Sequence, residues 1–424
     1  MARFVIKGGK RLSGSHRTPG NKNAVLPMLA ASVLTDEQVV LRNIPLIDDV
    51  RTMLELLEDL GVRVELRGHT VTLCAAGIRK RRLNPDLCRK VRSSILFAGP
   101  MAARHGRVNL APPGGDVIGR RRLDSHFESL AKLGISVECG NTYLFRRRRL
   151  RGARILLDEA SVTATENTIM AAVLARGKST LFNAACEPHV QELCVMLNRM
   201  GARIEGVGTN YLKIRGVDQL HGVSHRVSSD YIETASFLAA AALTGGRLQI
   251  SDVLTEQFDV VSRPFRKLGL KWKLAGRTLH LPANQTLRVE NDFDAAIPKI
   301  EDGPWPNFPS DLMSVAIVLA TRATGAMLFF EKMFESRMYF VDRLIDMGAR
   351  IVQCDPHRVI VTGPARLKGF HMSSPDIRDG MALLLAALCA DGESVIDNVQ
   401  VIDRGYENVD RELRRLGADI VRIR

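Results

Sequence analysis

Aromatic residues are scarce in this chain of 424 residues: Phe, Tyr and Trp together make up 5%, with two Trp and five Tyr. A binder of single-stranded nucleic acid needs aromatic platforms on which bases stack, so the scarcity argues against that class. No recognised RNA- or DNA-binding motif offers another route. No run of 18 or more apolar residues occurs, and the opening stretch MARFVIKGGKRLSGSHRTPGNKN has no apolar core of a secretion signal. Membrane insertion is therefore not expected, and the predicted location is the cytoplasm. The seven cysteines are odd in number, scattered and never spaced as C-x-x-C, which excludes a disulfide framework or a zinc site as organising principle. Nothing in the sequence fixes an oligomeric state.

What is present is an ordinary globular mixture, 46% apolar and 25% charged, with enough length for two domains that each bury a sizeable core. Lys and Arg exceed Asp and Glu by 14 charges, with arginine clusters at Arg79 to Arg82, Arg120 to Arg122 and Arg146 to Arg149. Such a surplus favours anionic partners. The first and third clusters read equally well as solvated surface.

One signature recurs along the chain: an amphipathic helix ending in Leu or Met, then Gly, then a short apolar strand. It appears as LEDLGVRVE at Gly61, LAKLGISVE at Gly134, LNRMGARIE at Gly201, FRKLGLKWK at Gly269, LIDMGARIV at Gly348 and LRRLGADIV at Gly417. Successive glycines lie 73, 67, 68, 79 and 69 residues apart, so six units of about 70 residues account for the chain. In each, a glycine free to take positive φ closes the helix before the strand. A second, alanine-rich helix recurs in every unit, for example KNAVLPMLAASVL and ETASFLAAAALTGG, apolar on most of its circumference and therefore predicted to be buried. The expected class is α/β, with two similar domains of three repeats each. The predicted boundaries are 22–229, including a catalytic loop at 111–125, and 1–21 with 230–424.

Polar residues collect at two recurring places. One is the start of each buried helix: Lys22 and Asn23, Arg92, Ser161 to Glu166, Asp230 with Glu233, Asp311, and Asp376 with Arg378. The other is the loop before each outer helix, including Asp48 and Asp49, Gly114 to Asp124, Arg337, and Asp403 with Arg404. Helix starts carry unpaired N–H groups and a positive dipole end, so they suit anions. Ser and Asp there need no function beyond capping. Lys22, Arg92 and Arg378 are less easily dismissed, because a cation at a positive helix end needs a compensating anion. The stretch APPGGDVIGRRRLDSH, residues 111–126, adds Asp116 and three arginines to a loop with three glycines. It matches neither the P-loop nor the dinucleotide fingerprint.

With these motifs in this order, the sequence closely resembles the UDP-N-acetylglucosamine 1-carboxyvinyltransferases, from Ile6-Lys7-Gly8-Gly9 to the C-terminus. The resemblance rests on Asn21-Lys22-Asn23-Ala24, the Pro-Gly-Gly loop ending in Ile118-Gly119, Phe308-Pro309-Ser310-Asp311, Phe334-Glu335-Ser336-Arg337 and Ile402-Asp403-Arg404-Gly405-Tyr406-Glu407. It implies the enolpyruvyl transferase fold, two inside-out α/β barrel domains closing over a cleft, with phosphoenolpyruvate and UDP-N-acetylglucosamine as substrates and neither metal nor organic cofactor. By position, Lys22, Arg121 and Arg404 resemble the cations that hold phosphoenolpyruvate, with Asn23 beside them. Arg92, Arg121, Arg122, Leu123, Asp124, Ser125, Ser161, Val162 and Met333 resemble contacts to the uridine diphosphate. Asp311 falls at the family's carboxylate facing the sugar 3-hydroxyl and is the expected base, while Arg337 and Asp376 match further cleft residues. The shikimate-3-phosphate enolpyruvyl transferases, which share the fold, are the nearest rival reading.

Three departures stand out. Arg122 replaces a common proline and Thr163 a common glycine. At the loop position where many family members carry cysteine, this chain reads Gly115-Asp116-Val117, so the expected proton donor is a carboxyl group. Burial raises a carboxyl pKa toward the working pH and makes such a donor feasible. A carboxylate is a far weaker nucleophile than a thiolate toward an epoxide. Fosfomycin, which alkylates the family's cysteine, is therefore expected to leave the intact mass of this protein unchanged, and a stoichiometric adduct would overturn that expectation.

Overall fold

The computed structural model describes residues 2–116 and 118–423; Val117, in the glycine-rich loop, and the two terminal residues lie outside them. The chain divides into two compact units. The N-terminal unit comprises Gly20–Asp116 and Arg121–Ser228, and the C-terminal unit comprises residues 2–19, 118–120 and 229–423. Each is pinned at its own end of the crossing. In the N-terminal unit the Asn21 amide donates to the Ser228 carbonyl at 2.7 Å, and in the C-terminal unit the Asp230 amide donates to the Pro19 carbonyl at 2.9 Å. The sequence had suggested that the whole loop 111–125 belongs with the N-terminal unit. Residues 118–120 pack with the C-terminal one instead, the Ile118 carbonyl accepting from the Ser336 amide at 3.3 Å.

Both units are built from three copies of one α/β module. In the N-terminal unit the alanine-rich helices are Lys22–Ala31, Ala98–His105 after the 3₁₀ turn Arg92–Phe97, and Val162–Ala172. Their counterparts are Tyr231–Leu243, Met313–Arg322 after the 3₁₀ turn Ser310–Leu312, and Ile377–Cys389. Every residue of Tyr231–Leu243 and of Ile377–Cys389 is buried, as expected of helices apolar all round. The outer helices, such as Asp48–Leu60, bury only one stripe. All six signature glycines take φ between +89° and +105° where the chain leaves these outer helices.

The strands form five four-stranded sheets and one three-stranded sheet among the described residues. They are separate open sheets, so the expected barrel is a ring of sheets around buried helices and not one continuous hydrogen-bonded wall. In five of the six, antiparallel pairs are extended by one parallel edge strand. The ring closes through the chain ends of each unit. In the N-terminal unit, Val223–Arg226 adds in parallel to Gln38–Arg42 of the first repeat. In the C-terminal unit, Ser13–Arg17 adds to Arg247–Ser251, while Arg3–Lys7 lies between Glu393–Asp397 and Asp419–Ile423.

The buried helices approach one another closely. At Gly99 an added methyl would sit 2.3 Å from the Asn167 carbonyl oxygen, and the Asn167 side chain bridges the Gly99 amide and the Ile95 carbonyl, both at 2.8 Å. No helix among the described residues is long and apolar enough to cross a membrane. Overpacking a close-packed core costs about 1–3 kcal/mol. Gly99→Ala should therefore lower the unfolding free energy by about that amount, read as an earlier urea midpoint at unchanged slope.

Candidate functional site

The candidate residues divide between the units. Lys22, Asn23, Arg92, Asp116, Arg121 to Ser125, Ser161 and Val162 lie in the N-terminal unit, and Asp311, Met333, Arg337, Asp376, Arg378 and Arg404 in the C-terminal unit.

In the N-terminal unit, Lys22 and Asn23 open the first buried helix, whose end is capped by the Asn21 side chain accepting from the Ala24 amide at 3.1 Å. Lys22 is buried, and its Nζ lies 2.8 Å from Asp49 Oδ2. Ser161 caps the third buried helix by accepting from the Ala164 amide, with Val162 as the first helical residue. Arg92 begins the second with no side-chain cap, and its guanidinium donates to the Arg121 carbonyl. Burial, together with the charge of Arg121, pulls the Arg92 pKa down to about 10. Packing two guanidinium groups together in a partly desolvated spot costs free energy that a bound anion would recover.

After the loop, Arg122 is exposed and engages the carboxylate of Asp124, the first residue of the helix Asp124–Lys132. Leu123 and Ser125 are buried. The adjacent His126 is buried and held near pKa 3, by desolvation first and by the Arg92 charge second. Its neutral ring accepts from the Asn167 amide at Nδ1 and faces Thr163 Oγ1 at 3.0 Å from Nε2. Thr163, a departure from the family pattern, thus has a local partner. Asp116 is half-buried at the end of the segment containing Gly115, whose φ is +102° and whose added methyl would lie 2.9 Å from Arg92 Cβ.

In the C-terminal unit, Asp311 sits in the 3₁₀ turn that begins the fifth buried helix. Its two carboxylate oxygens each accept from a different guanidinium, Oδ1 from Arg337 and Oδ2 from Arg378, both at 2.9 Å. Both arginines are about 5% exposed. Burial opposes their charge, yet the surrounding carboxylates, Asp311 foremost, outweigh it and raise both pKa values. Arg378 also donates to the Tyr406 hydroxyl at 3.3 Å and lies over that ring, and the hydroxyl contacts Ser236 Oγ at 3.0 Å. Asp376 caps the sixth buried helix through the Arg378 and Asp379 amides at 2.7 and 2.8 Å. Arg404 ends a 3₁₀ turn, Val399–Arg404, whose Asp403 is gripped by both Arg422 nitrogens at 2.7 Å. Met333 is 37% exposed. Glu335 accepts from the Arg120 amide at 3.2 Å, which ties residues 118–120 to this unit.

Lys22 and Arg378 have carboxylate partners within the chain, Asp49 and Asp311, whereas Arg92 donates to the neutral Arg121 carbonyl. Asp49 appeared in the sequence only as one of several polar loop residues, and Tyr406 only as part of a motif; their roles depend on contacts across 27 and 28 residues that no local pattern encodes.

The family model for EPSP synthase (3-phosphoshikimate 1-carboxyvinyltransferase) matches residues 6–413. Proteins named UDP-N-acetylglucosamine 1-carboxyvinyltransferase are similar throughout: that of Treponema denticola is 51% identical, covering 99% of both chains, and that of Borreliella burgdorferi is 48% identical, covering 100% of both. That of Bradyrhizobium diazoefficiens is 50% identical, covering 99% of this chain and 98% of its own. Among solved structures, the enolpyruvyl transferase NikO from Streptomyces tendae superposes with a TM-score of 0.88 at 22% identity, covering 99% of this chain and 98% of its own. EPSP synthase from Acinetobacter baumannii gives 0.78 at 18% identity, with full coverage of both.

Replacing Asp311 by Asn keeps the side-chain shape but leaves two buried guanidinium groups facing a neutral amide. Losing one partner of a buried ion pair costs about 3–5 kcal/mol. Since 26% of the Asp311 side chain remains solvent-accessible, the lower end applies, and calorimetry should show a clearly reduced melting temperature for Asp311→Asn.

Proposed function

Because the chain belongs to the UDP-N-acetylglucosamine 1-carboxyvinyltransferases, within the wider enolpyruvyl transferase family, we propose an addition-elimination mechanism for it. The enzyme transfers the enolpyruvyl group of phosphoenolpyruvate to the 3-hydroxyl of UDP-N-acetylglucosamine and releases phosphate, the first committed step of peptidoglycan synthesis. The observation that carries this acceptor over shikimate 3-phosphate is the level of identity: about half the residues over the whole chain, against 18% for an EPSP synthase of similar fold.

The reaction adds an alcohol across an enol ether and then eliminates phosphate. Asp311 takes the proton of the sugar hydroxyl as its oxygen bonds to C2 of phosphoenolpyruvate, while Asp116 delivers a proton to C3. The tetrahedral intermediate next loses a C3 proton to the Asp116 carboxylate as the bond from C2 to the phosphate oxygen breaks, which restores the double bond and frees phosphate. Two buried guanidinium groups, one on each oxygen, fix the Asp311 carboxylate in one orientation. Phosphoenolpyruvate is densely anionic, and Lys22, Arg121 and Arg404 hold its phosphate and carboxylate, with Asn23 beside them. Arg92, Arg122, Leu123, Asp124, Ser125, Ser161, Val162 and Met333 receive the nucleotide, while Arg337, Asp376 and Arg378 support the base. The reading places the enzyme in the cytoplasm, where both charged substrates reside.

Phosphate release should require both phosphoenolpyruvate and UDP-N-acetylglucosamine and should not occur with shikimate 3-phosphate. A positioned general acid or base contributes about 10²–10⁴-fold. Asp116→Asn and Asp311→Ala should each lose turnover on that scale, and an Asp311→Ala enzyme that still turns over would remove the base assignment.

A further inference from the structure

Behind Asp311 lies a pair of acids with no part in the chemistry above. The strand Lys299–Glu301 runs parallel to Gly325–Phe330, with Glu301 opposite Phe330. The next residue on each strand is therefore a neighbour of the other, and these residues are Asp302 and Glu331. Both are buried, at 1% and 0% exposure. Their hydrogen bonds spread outward to the site. The Glu331 carboxyl accepts from Ser310 Oγ at 2.9 and 3.0 Å, and from the Met333 and Phe334 amides at 3.2 and 3.1 Å. Asp302 Oδ1 accepts from the Lys332 amide, and the Asp302 backbone is bridged to Phe308. One cluster thus grips the residue preceding Asp311 and the turn leading to Arg337, the arginine that clamps Asp311.

The remaining oxygen of the pair identifies its protonation state. Asp302 Oδ2 is buried, and no N–H or ordinary O–H of the described residues reaches it. An unsatisfied buried carboxylate oxygen is costly, and two adjacent carboxylates cannot both be ionised there. A proton retained on Glu331 resolves both problems by donating to Asp302.

Resting on the functional reading above, we propose that Asp302 and Glu331 share one proton as a positioning pair, and that this proton fixes the Asp311 turn and the Met333 to Arg337 segment in their working geometry. Burial, then the hydrogen bond and charge of Asp302, push the Glu331 pKa up to about 9, while Arg337 and Ser310 pull it down. The other charged or titratable groups nearby are His357, whose ring faces the Glu331 carbonyl at 2.8 Å, and Lys332, whose ammonium is engaged by Glu301 at 3.0 Å. Because the folded-state pKa is raised, the stabilisation from this proton is complete at acid pH and is lost as pH rises through about 9.

The test is the pH dependence of kcat for phosphate release at saturating phosphoenolpyruvate and UDP-N-acetylglucosamine, in wild type, Glu331→Gln and Asp302→Asn. Glutamine reproduces the protonated acid, donating to Asp302 and accepting from Ser310 and the turn; asparagine at 302 donates to an ionised Glu331. Both variants should fold, and at pH 7.5 both should stay within about threefold of wild type. Wild-type kcat should fall about fivefold between pH 9 and 10 with far-UV circular dichroism unchanged, as expected for loss of one required proton. In both variants that fall should be absent. A wild type without the alkaline fall, or variants that retain it, would overturn the inference while leaving the transferase reading intact. No phosphate release from wild type at pH 7.5 would sink the transferase reading and this inference with it.

Discussion

A helix buried on every side cannot leave the amide groups of its first turn to water, and this constraint governs where the polar residues of both units lie. Six such helices form the cores, and four of them are capped by side chains at their starts: Asn21, Ser161, Asp230 and Asp376. The other two begin with 3₁₀ turns at Arg92 and Ser310 and have no such cap. Those two starts carry the most elaborate electrostatics, the Arg92 contact to Arg121 and the Asp311 clamp. At both uncapped starts, buried guanidinium groups make the contacts that distinguish them from the other four.

The repeat architecture was legible because it has a local cause. A glycine with positive φ must follow each outer helix, and an alanine-rich helix must look apolar from every direction, so both leave marks readable without coordinates. The enclosure of the buried helices by sheets was also implied by the pattern. What could not be read was how the sheets close. The placement of Ser13–Arg17 beside Arg247–Ser251 joins segments more than 230 residues apart, and nothing in either strand names the other.

The site was legible in part for the same reason. Lys22, Arg92, Asp311 and Arg378 stand out because cations and carboxylates at helix starts are chemically conspicuous. Their partners are not. Asp49 binds Lys22 from the next helix, Tyr406 supports Arg378 from a distant loop, and Glu331 reads in sequence as the polar end of an apolar strand. Chain continuity is a poor guide to where loop residues 118–120 pack, because their hydrogen bonds go to Glu335 and Ser336, which are distant in sequence.

The position of the first strand bears on how the molecule is made. Arg3–Lys7 is the central partner of Glu393–Asp397 and Asp419–Ile423, so this segment leaves the ribosome more than 380 residues before its neighbours. The N-terminal unit is complete once Ser228 has emerged and can condense while synthesis continues, since domains generally fold as units. The C-terminal unit must keep an apolar strand waiting while the intervening residues are made before its last sheet can zip. The two halves, though built alike, thus mature on different schedules, and the later one bears the greater exposure to chaperones and to misassembly.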